Sequence, residues 1–208
     1  TFGIDRIWRR KAVKMVAQSP HDTILDIATG TGDLAILLAQ KTYAKKIIGL
    51  DLSSGMLEVG RQKVTKYGLS ESITFTEGDS LNLPFPENSF DAITVAYGVR
   101  NFEDLHKGYK EMLRVLRPGG KVTVIELSTP DRQPVKTLYR FYTRTLVPFV
   151  GRLISHDTRA YSYLPESIAA VPQSDKMTRI MQEAGFADTT FRRLTFGTCT
   201  IYQGKKTI

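Results

Sequence analysis

Leu25-Asp26-Ile27-Ala28-Thr29-Gly30-Thr31-Gly32-Asp33-Leu34 is the stretch from which the fold can be read. Thr23 to Ala28 reads as a short buried strand. It runs into a glycine turn and then a helix from about Asp33. The glycines permit positive φ and carry no Cβ, so a ligand can lie against the backbone. The turn opens a helix N-terminus, where free N–H groups and the dipole favour negative charge. Gly30-x-Gly32-x-x-Ala35 fits the loose dinucleotide pattern, and Asp51 follows at the end of the next apolar run, Ile47 to Leu50. An acid there can accept both ribose hydroxyls. Many glycine turns are only turns. Strand, helix and second-strand acid together favour an adenosine-type cofactor site.

The pattern continues outward from this unit. Ile4 to Ala17 has helical periodicity with a basic edge at Arg9-Arg10-Lys11. Asp33 to Lys41 is a helix, Ile47 to Asp51 a strand, and Ser53 or Ser54 can cap a helix that Gly68 ends. Ser72 to Glu77 and Phe90 to Ala96 read as strands. Asp104 to Leu116 is an amphipathic helix that Arg117-Pro118-Gly119-Gly120 stops, and Lys121 to Leu127 is the next strand. This alternation predicts a doubly wound, mostly parallel α/β sheet with helices on both faces. After Ser174 to Ala184, a helix, Phe191 to Phe196 and Cys199 to Gly204 form an antiparallel hairpin at the sheet edge, bringing the sheet to seven strands. One domain over 1–208 is expected, with a helical insertion at about 131–172.

Composition narrows the class. At 41% hydrophobic and 24% charged, the 208 residues suit a globular protein with a real core. No apolar run is long enough to span a bilayer. The single cysteine, Cys199, excludes an internal disulfide and fits a reducing compartment. Three scattered histidines, His21, His106 and His156, give no metal-ligand spacing, so no metal is expected. The net charge of +8 suits an anionic partner or a plain basic surface. The chain starts at Thr1 rather than Met, so a preceding stretch is expected.

Several polar positions converge where the strands end, the usual ligand edge of such sheets. Besides the turn and Asp51, these are Gly78-Asp79-Ser80 and Ala96-Tyr97-Gly98. Asp79 can accept an adenine amino proton, with the Ser80 N–H facing a ring nitrogen; alone it would read as a turn acid. The candidate cofactor-binding set is Gly30, Thr31, Gly32, Asp51, Leu52, Asp79, Ser80 and Ala96.

These ordered motifs, with Leu116-Arg117-Pro118-Gly119-Gly120, resemble those of class I S-adenosylmethionine (SAM)-dependent methyltransferases. Tyr97-Gly98-Val99-Arg100-Asn101-Phe102 and Ala160-Tyr161-Ser162-Tyr163-Leu164-Pro165-Glu166-Ser167-Ile168 are similar to the quinone-ring C-methyltransferases of menaquinone and ubiquinone synthesis. Phe2-Gly3-Ile4-Asp5-Arg6-Ile7-Trp8-Arg9-Arg10 and Leu194-Thr195-Phe196-Gly197 fit the same family. The resemblance covers essentially the whole chain, and its details lie closer to the demethylmenaquinone branch. It implies SAM as cofactor, with Thr31, Asp51, Asp79 and Ser80 as contacts. Ala96 stands where many members have serine, so a side-chain contact is lost there. It also implies a lid-bearing stretch before Phe2, and C-methylation of demethylmenaquinol or, alternatively, of a polyprenyl methoxy-benzoquinol or another small molecule.

A quinol ring carbon becomes nucleophilic once a ring hydroxyl ionises, so the protein must align the reactants and favour that ionisation. Arg100 and Asn101 can hold a ring oxygen and Tyr97 can stack on the cofactor or ring; Arg100 can instead cap a helix or pair with Glu103 or Asp104. His156 can act as a base or be a solvated loop histidine, and Tyr161 can line the quinol pocket or belong to the core. Lys136, Arg140 and Arg144 recur at spacing four beside Leu138, Tyr139, Phe141 and Tyr142. That pattern suits either peripheral contact with an anionic membrane or a core-packed helix. The expected setting is the cytoplasm, with peripheral contact at the inner face of the cytoplasmic membrane. A homodimer is a first expectation for the open oligomeric state. Nucleic acid is not an expected partner: Ala96-Tyr97-Gly98 stands where an amine-directed enzyme carries an Asp/Asn-Pro-Pro-aromatic motif, and Cys199 follows Thr198 rather than proline. An NAD-dependent oxidoreductase shares the turn and Asp51 but does not account for Gly78-Asp79 or the Tyr97–Phe102 motif.

Overall fold

The computed structural model describes residues 3–141 and 166–207. Helix α1 (Ile4–Val16) precedes an alternation of β1 (Thr23–Ile27), α2 (Asp33–Lys41), β2 (Lys46–Asp51), α3 (Ser54–Lys66) and β3 (Ile73–Glu77). Then come β4 (Phe90–Ala96), α4 (Leu105–Val115), β5 (Leu116–Leu127), α5 (Val135–Phe141), α6 (Asp175–Glu183), β6 (Ala187–Leu194) and β7 (Cys199–Lys205). Helix starts follow local chemistry. The Ser53 hydroxyl accepts the Met56 N–H at 3.3 Å to cap α3, and the Asp104 carboxylate accepts the Lys107 N–H at 2.9 Å to cap α4. Each such cap is worth about 1 kcal/mol.

The strands form one sheet in the order β3-β2-β1-β4-β5-β7-β6. Strands β1 to β5 run parallel, and β7 runs antiparallel to both β5 and β6. The expected antiparallel hairpin is thus present at this edge of the sheet. Strand β7 lies inside the sheet between β5 and β6, and only β6 is an edge. Burial explains why β7 is the inner strand: Cys199, Ile201 and Tyr202 on β7 are buried, whereas β6 alternates between exposed and half-buried positions up to its buried last residue, Leu194. The Arg117–Gly120 segment differs from a simple stop. Leu116 pairs with Phe90 and Lys121 with Ala92, so the residues between them bulge from β5. Pro118 disfavours helix for Arg117 before it and ends α4 at Val115.

Alternation along the strands feeds a core on each face. Leu25, Ile27, Ile93, Val95, Val122 and Val124 pack with Tyr109, Met112 and Val115 of α4 and Met177 and Met181 of α6. Ile24, Ile47, Ile73 and Ala92 pack with Val13 and Val16 of α1, Leu34 and Leu38 of α2 and Val64 of α3. Truncating a fully buried member such as Met112 to alanine costs about 2–5 kcal/mol. A third cluster joins Trp8 and Ala12 of α1 to Ile125, Leu194, Cys199 and Ile201. The Trp8 Nε1–H donates to Thr195 Oγ1 at 2.8 Å and fixes α1 against the β6–β7 connection.

Strand order reverses between β1 and β4, and register brings the carboxyl ends of β1, β2 and β4 level: Ile27 pairs with both Leu50 and Val95. This is the switch point at which such sheets bind ligands. The expected insertion at about 131–172 falls largely outside the described residues, which include its start, α5.

Candidate active site

A cavity of about 470 Å³ opens at this switch point. The chain turns sharply into it. Ala28 has φ 52°, Gly30 φ 57° and Gly32 φ 76°, and Gly32 N-caps α2. Gly32 is required twice over, because a Cβ there would also lie 2.7 Å from the Phe75 ring. The turn is tied to β2 by its backbone and by an acid. The Thr29 N–H donates to Leu50 O at 3.0 Å, and the Gly30 N–H donates to Asp51 Oδ2 at 2.8 Å. The other Asp51 oxygen accepts the Ser53 N–H at 2.9 Å. Each carboxylate oxygen keeps a lone pair for a ligand hydroxyl.

Beneath the turn lies Asp26, 1% exposed, accepting from Thr29 Oγ1 at 2.6 Å and Thr94 Oγ1 at 2.7 Å. Burial outweighs those two hydrogen bonds and raises its pKa to about 6. At the cavity's mouth two apolar side chains remain exposed, Leu52 at 68% and Met56 at 45%. At the end of β4 the backbone is strained: Tyr97 has φ 61°, and a Cβ on Gly98 would lie 2.5 Å from that of Ala28. Tyr97 and Arg100 both line the cavity, and the Tyr97 hydroxyl and Arg100 Nε are buried without hydrogen-bond partners. Burial pushes the Tyr97 hydroxyl above the usual phenol range.

Arg100 sits in a 3-10 turn, Val99–Asn101, and pairs with neither Glu103 nor Asp104. Its Nη1 donates to Glu126 Oε1 at 2.7 Å, and its backbone N–H donates to Glu126 Oε2 at 3.2 Å. Glu126 on β5 is 1% exposed, and burial pushes its carboxyl above the usual range against the pull of Arg100.

The arrangement fits a nucleoside carrying an amino-acid tail. It offers an acid beside bare backbone for a ribose, exposed apolar side chains for a flat base, and a buried acid for an ammonium group. A family model described as the ubiE/COQ5 methyltransferase family matches residues 1–206. The chain belongs to that family. It is 50% identical to a demethylmenaquinone methyltransferase of Bacteroides fragilis, across 99% of this chain and 84% of the relative. A ubiquinone/menaquinone biosynthesis C-methyltransferase of Geobacter sulfurreducens is 42% identical, across 99% of this chain and 80% of the relative. The fold matches the crystal structure of a SAM-dependent methyltransferase from Aquifex aeolicus with a TM-score of 0.67 at 20% identity, covering 95% of this chain and 88% of that one. The chain is thus a methyltransferase with the fold of the SAM-dependent class.

Of the candidate site residues read from sequence, Gly30, Thr31, Asp51, Leu52, Ser80, Ala96, Arg100 and Asn101 all line the cavity. Gly32 and Asp79 are not among its lining residues. Gly32 packs on Phe75, and the exposed Asp79 carboxylate accepts the Leu81 N–H of its own turn at 2.8 Å. His156 and Tyr161 lie outside the described residues. Tyr97, one of the converging positions read from sequence, also lines the cavity, as do Arg9, Asp26 and Met56, which sequence reasoning did not single out as ligand contacts. Glu126 had a sequence signal: an acid within the apolar run Val122-Thr123-Val124-Ile125-Glu126-Leu127 is a buried charge in search of a partner.

Proposed function

We propose that the chain methylates a ring carbon of a prenylated quinol, converting demethylmenaquinol to menaquinol with SAM as the methyl donor. The observation that carries this is a shared cavity. Asp26 and Asp51 line it beside the glycine turn, and Arg100, Asn101 and Phe102 line it too. The name of the Bacteroides relative, a demethylmenaquinone methyltransferase, supports the naphthoquinol acceptor, and that of the Geobacter relative, which names both ubiquinone and menaquinone biosynthesis, keeps a polyprenyl methoxy-benzoquinol as the alternative.

Bound here, SAM supplies a methyl group already activated on a sulfonium centre. The protein's remaining tasks are alignment and ionisation of the acceptor. Asp51 takes the ribose hydroxyls, Leu52 packs against the base, and Thr31, Ser80 and Ala96 border the donor. Arg100 and Asn101 hold a ring oxygen. As the hydroxyl proton leaves, the fixed guanidinium stabilises the phenolate charge. Electron density then shifts to the adjacent ring carbon, which becomes the nucleophile. His156 is the proposed proton acceptor and Tyr161 part of the quinol pocket.

The enzyme works in the cytoplasm and touches the inner face of the cytoplasmic membrane. The spacing of Lys136, Arg140 and Arg144 and the 64% exposure of Leu138 on α5 support that contact. No helix among the described residues is long and apolar enough to cross a membrane. The test is an assay with labelled SAM, offering demethylmenaquinol and its benzoquinol counterpart. Preferential labelling of the naphthoquinol is expected, and labelling of neither overturns the reading. Co-sedimentation with anionic vesicles at low salt tests the membrane contact, which absence of binding would refute.

A further inference from the structure

Arg9 hangs over the glycine turn although it belongs to α1, outside the alternating strand–helix units. Its neighbour Trp8 is 3% exposed and anchored to Thr195, so the helix is held where Arg9 lines the cavity. The cavity's charged lining is Asp26, Asp33 and Asp51 against Arg9 and Arg100. Arg100 is already committed to Glu126. Among the described residues of the lining, Arg9 is the other cation, paired with Asp5 through Nη2 and with its Nη1 on a longer contact that an anionic group of a ligand can replace.

Its present contacts are uneven. Nη2 donates to Asp5 of the same helix, whereas Nη1 is 3.9 Å from Asp33 Oδ2, an ion-pair distance too long for a hydrogen bond. Asp33 has a better partner, because Lys63 Nζ donates to its Oδ1 at 2.8 Å and to Thr31 Oγ1 at 2.7 Å. Asp33 is half-exposed and does not depend on Arg9. The N-terminus of α2 lies at the same end, but its own first residue is an acid, which offsets the dipole's pull on a second anion.

We propose that Arg9 binds the carboxylate of the donor's amino-acid end, giving up its long contact with Asp33, which stays on Lys63. A guanidinium can meet a carboxylate through two parallel N–H donors, so the exchange replaces a loose pair with a directed one. Arg9 would then distinguish donors with an amino-acid tail from adenosine compounds that lack it. The proposal rests on SAM being the donor and is independent of the acceptor.

The test is calorimetric titration of wild type, Arg9→Gln and Arg9→Lys with S-adenosylhomocysteine and with 5′-methylthioadenosine, which has no amino-acid end. Arg9→Gln should weaken S-adenosylhomocysteine about ten- to hundredfold and leave 5′-methylthioadenosine unchanged. Arg9→Lys should recover part of the loss, since it restores charge without the fork. Unchanged S-adenosylhomocysteine binding in Arg9→Gln overturns the proposal. A parallel loss of both ligands overturns it too, because Arg9 would then only support the site's fold. If the wild type binds neither compound, the donor reading itself fails.

Discussion

Glu126 Oε1 accepts from Arg100 Nη1 at 2.7 Å while its Oε2 accepts from the backbone N–H of the same residue at 3.2 Å. One acid thus holds both the side chain and the backbone of Arg100, and its Oε1 also accepts the Leu127 N–H at 2.8 Å. With side chains 14% and 2% exposed, this pair is mostly out of water. Glu126→Ala leaves a buried guanidinium unpaired and should cost about 3–5 kcal/mol. Glu126→Gln keeps the shape and should cost less. Urea denaturation of both variants against wild type measures the difference.

Removing the other partner separates chemistry from donor binding. Arg100→Met takes away the proposed support for the phenolate and should lower methyl transfer about 10²–10³-fold. Its S-adenosylhomocysteine affinity should stay within about threefold of wild type. Turnover with labelled SAM and calorimetry on the same preparation test this.

Asp26 makes stability fall as pH rises. Its folded pKa of about 6 lies above the ordinary 3.8, so between those values the folded state holds a proton that the unfolded state has lost. Stability from this group declines from about pH 4 to about pH 6 and is level above, a difference of about 3 kcal/mol. Asp26→Asn should lack that decline. Donor affinity should rise over the same interval, because the ionised carboxylate is the form that attracts an ammonium group. Denaturation and titration at half-unit pH steps check both.

Asp91 runs the other way. Its carboxylate accepts N–H groups of Asp22 and Thr23 and pairs with Arg117 at 2.6 Å, which together hold its pKa below the usual carboxylate range. Its stabilisation is present above the unfolded pKa, near 4, and lost as pH falls through the lower folded value. Asp91→Asn should therefore destabilise the protein at pH 7 and matter progressively less below pH 4. Thermal melts at pH 7 and pH 3 distinguish the two regimes.

Gly98→Ala places a methyl 2.5 Å from the Ala28 Cβ and 3.2 Å from Val95 Cγ1, at the cavity's edge. Overpacking of this kind costs about 1–3 kcal/mol. Because Ala28 begins the glycine turn, S-adenosylhomocysteine binding should weaken as well. A destabilised variant with wild-type affinity would show that the turn absorbs the methyl without moving its ligand groups.

What the sequence made legible was local. The turn at Gly30–Gly32, Asp51 after the second strand and the Ser53 cap depend on spacings of a few residues, and the alternation around them dictates parallel strands. Relationships across the sheet were hidden. Arg100 finds its acid 26 positions away in Glu126, not in adjacent Glu103 or Asp104. The place of β7 between β5 and β6 depends on which apolar faces meet, and periodicity within one strand does not carry that. At Asp79, the turn-acid alternative describes the hydrogen bond that the carboxylate makes, to Leu81. Arg9 looked like part of a basic edge because only the anchoring of Trp8 to Thr195 turns that helix over the turn.

That anchoring has a consequence for assembly during synthesis. Thr195 precedes β7, the last strand of the sheet in chain order, yet it holds a helix that leaves the ribosome before every strand. Strands β1 to β5, with the glycine turn and Asp51, can associate while the nascent chain is still lengthening. The Trp8 cluster cannot close until Leu194, Cys199 and Ile201 arrive. A nascent chain arrested before Leu194 should therefore leave Trp8 in water, with the red-shifted fluorescence of an exposed indole, and chains released beyond Lys205 should shift it back.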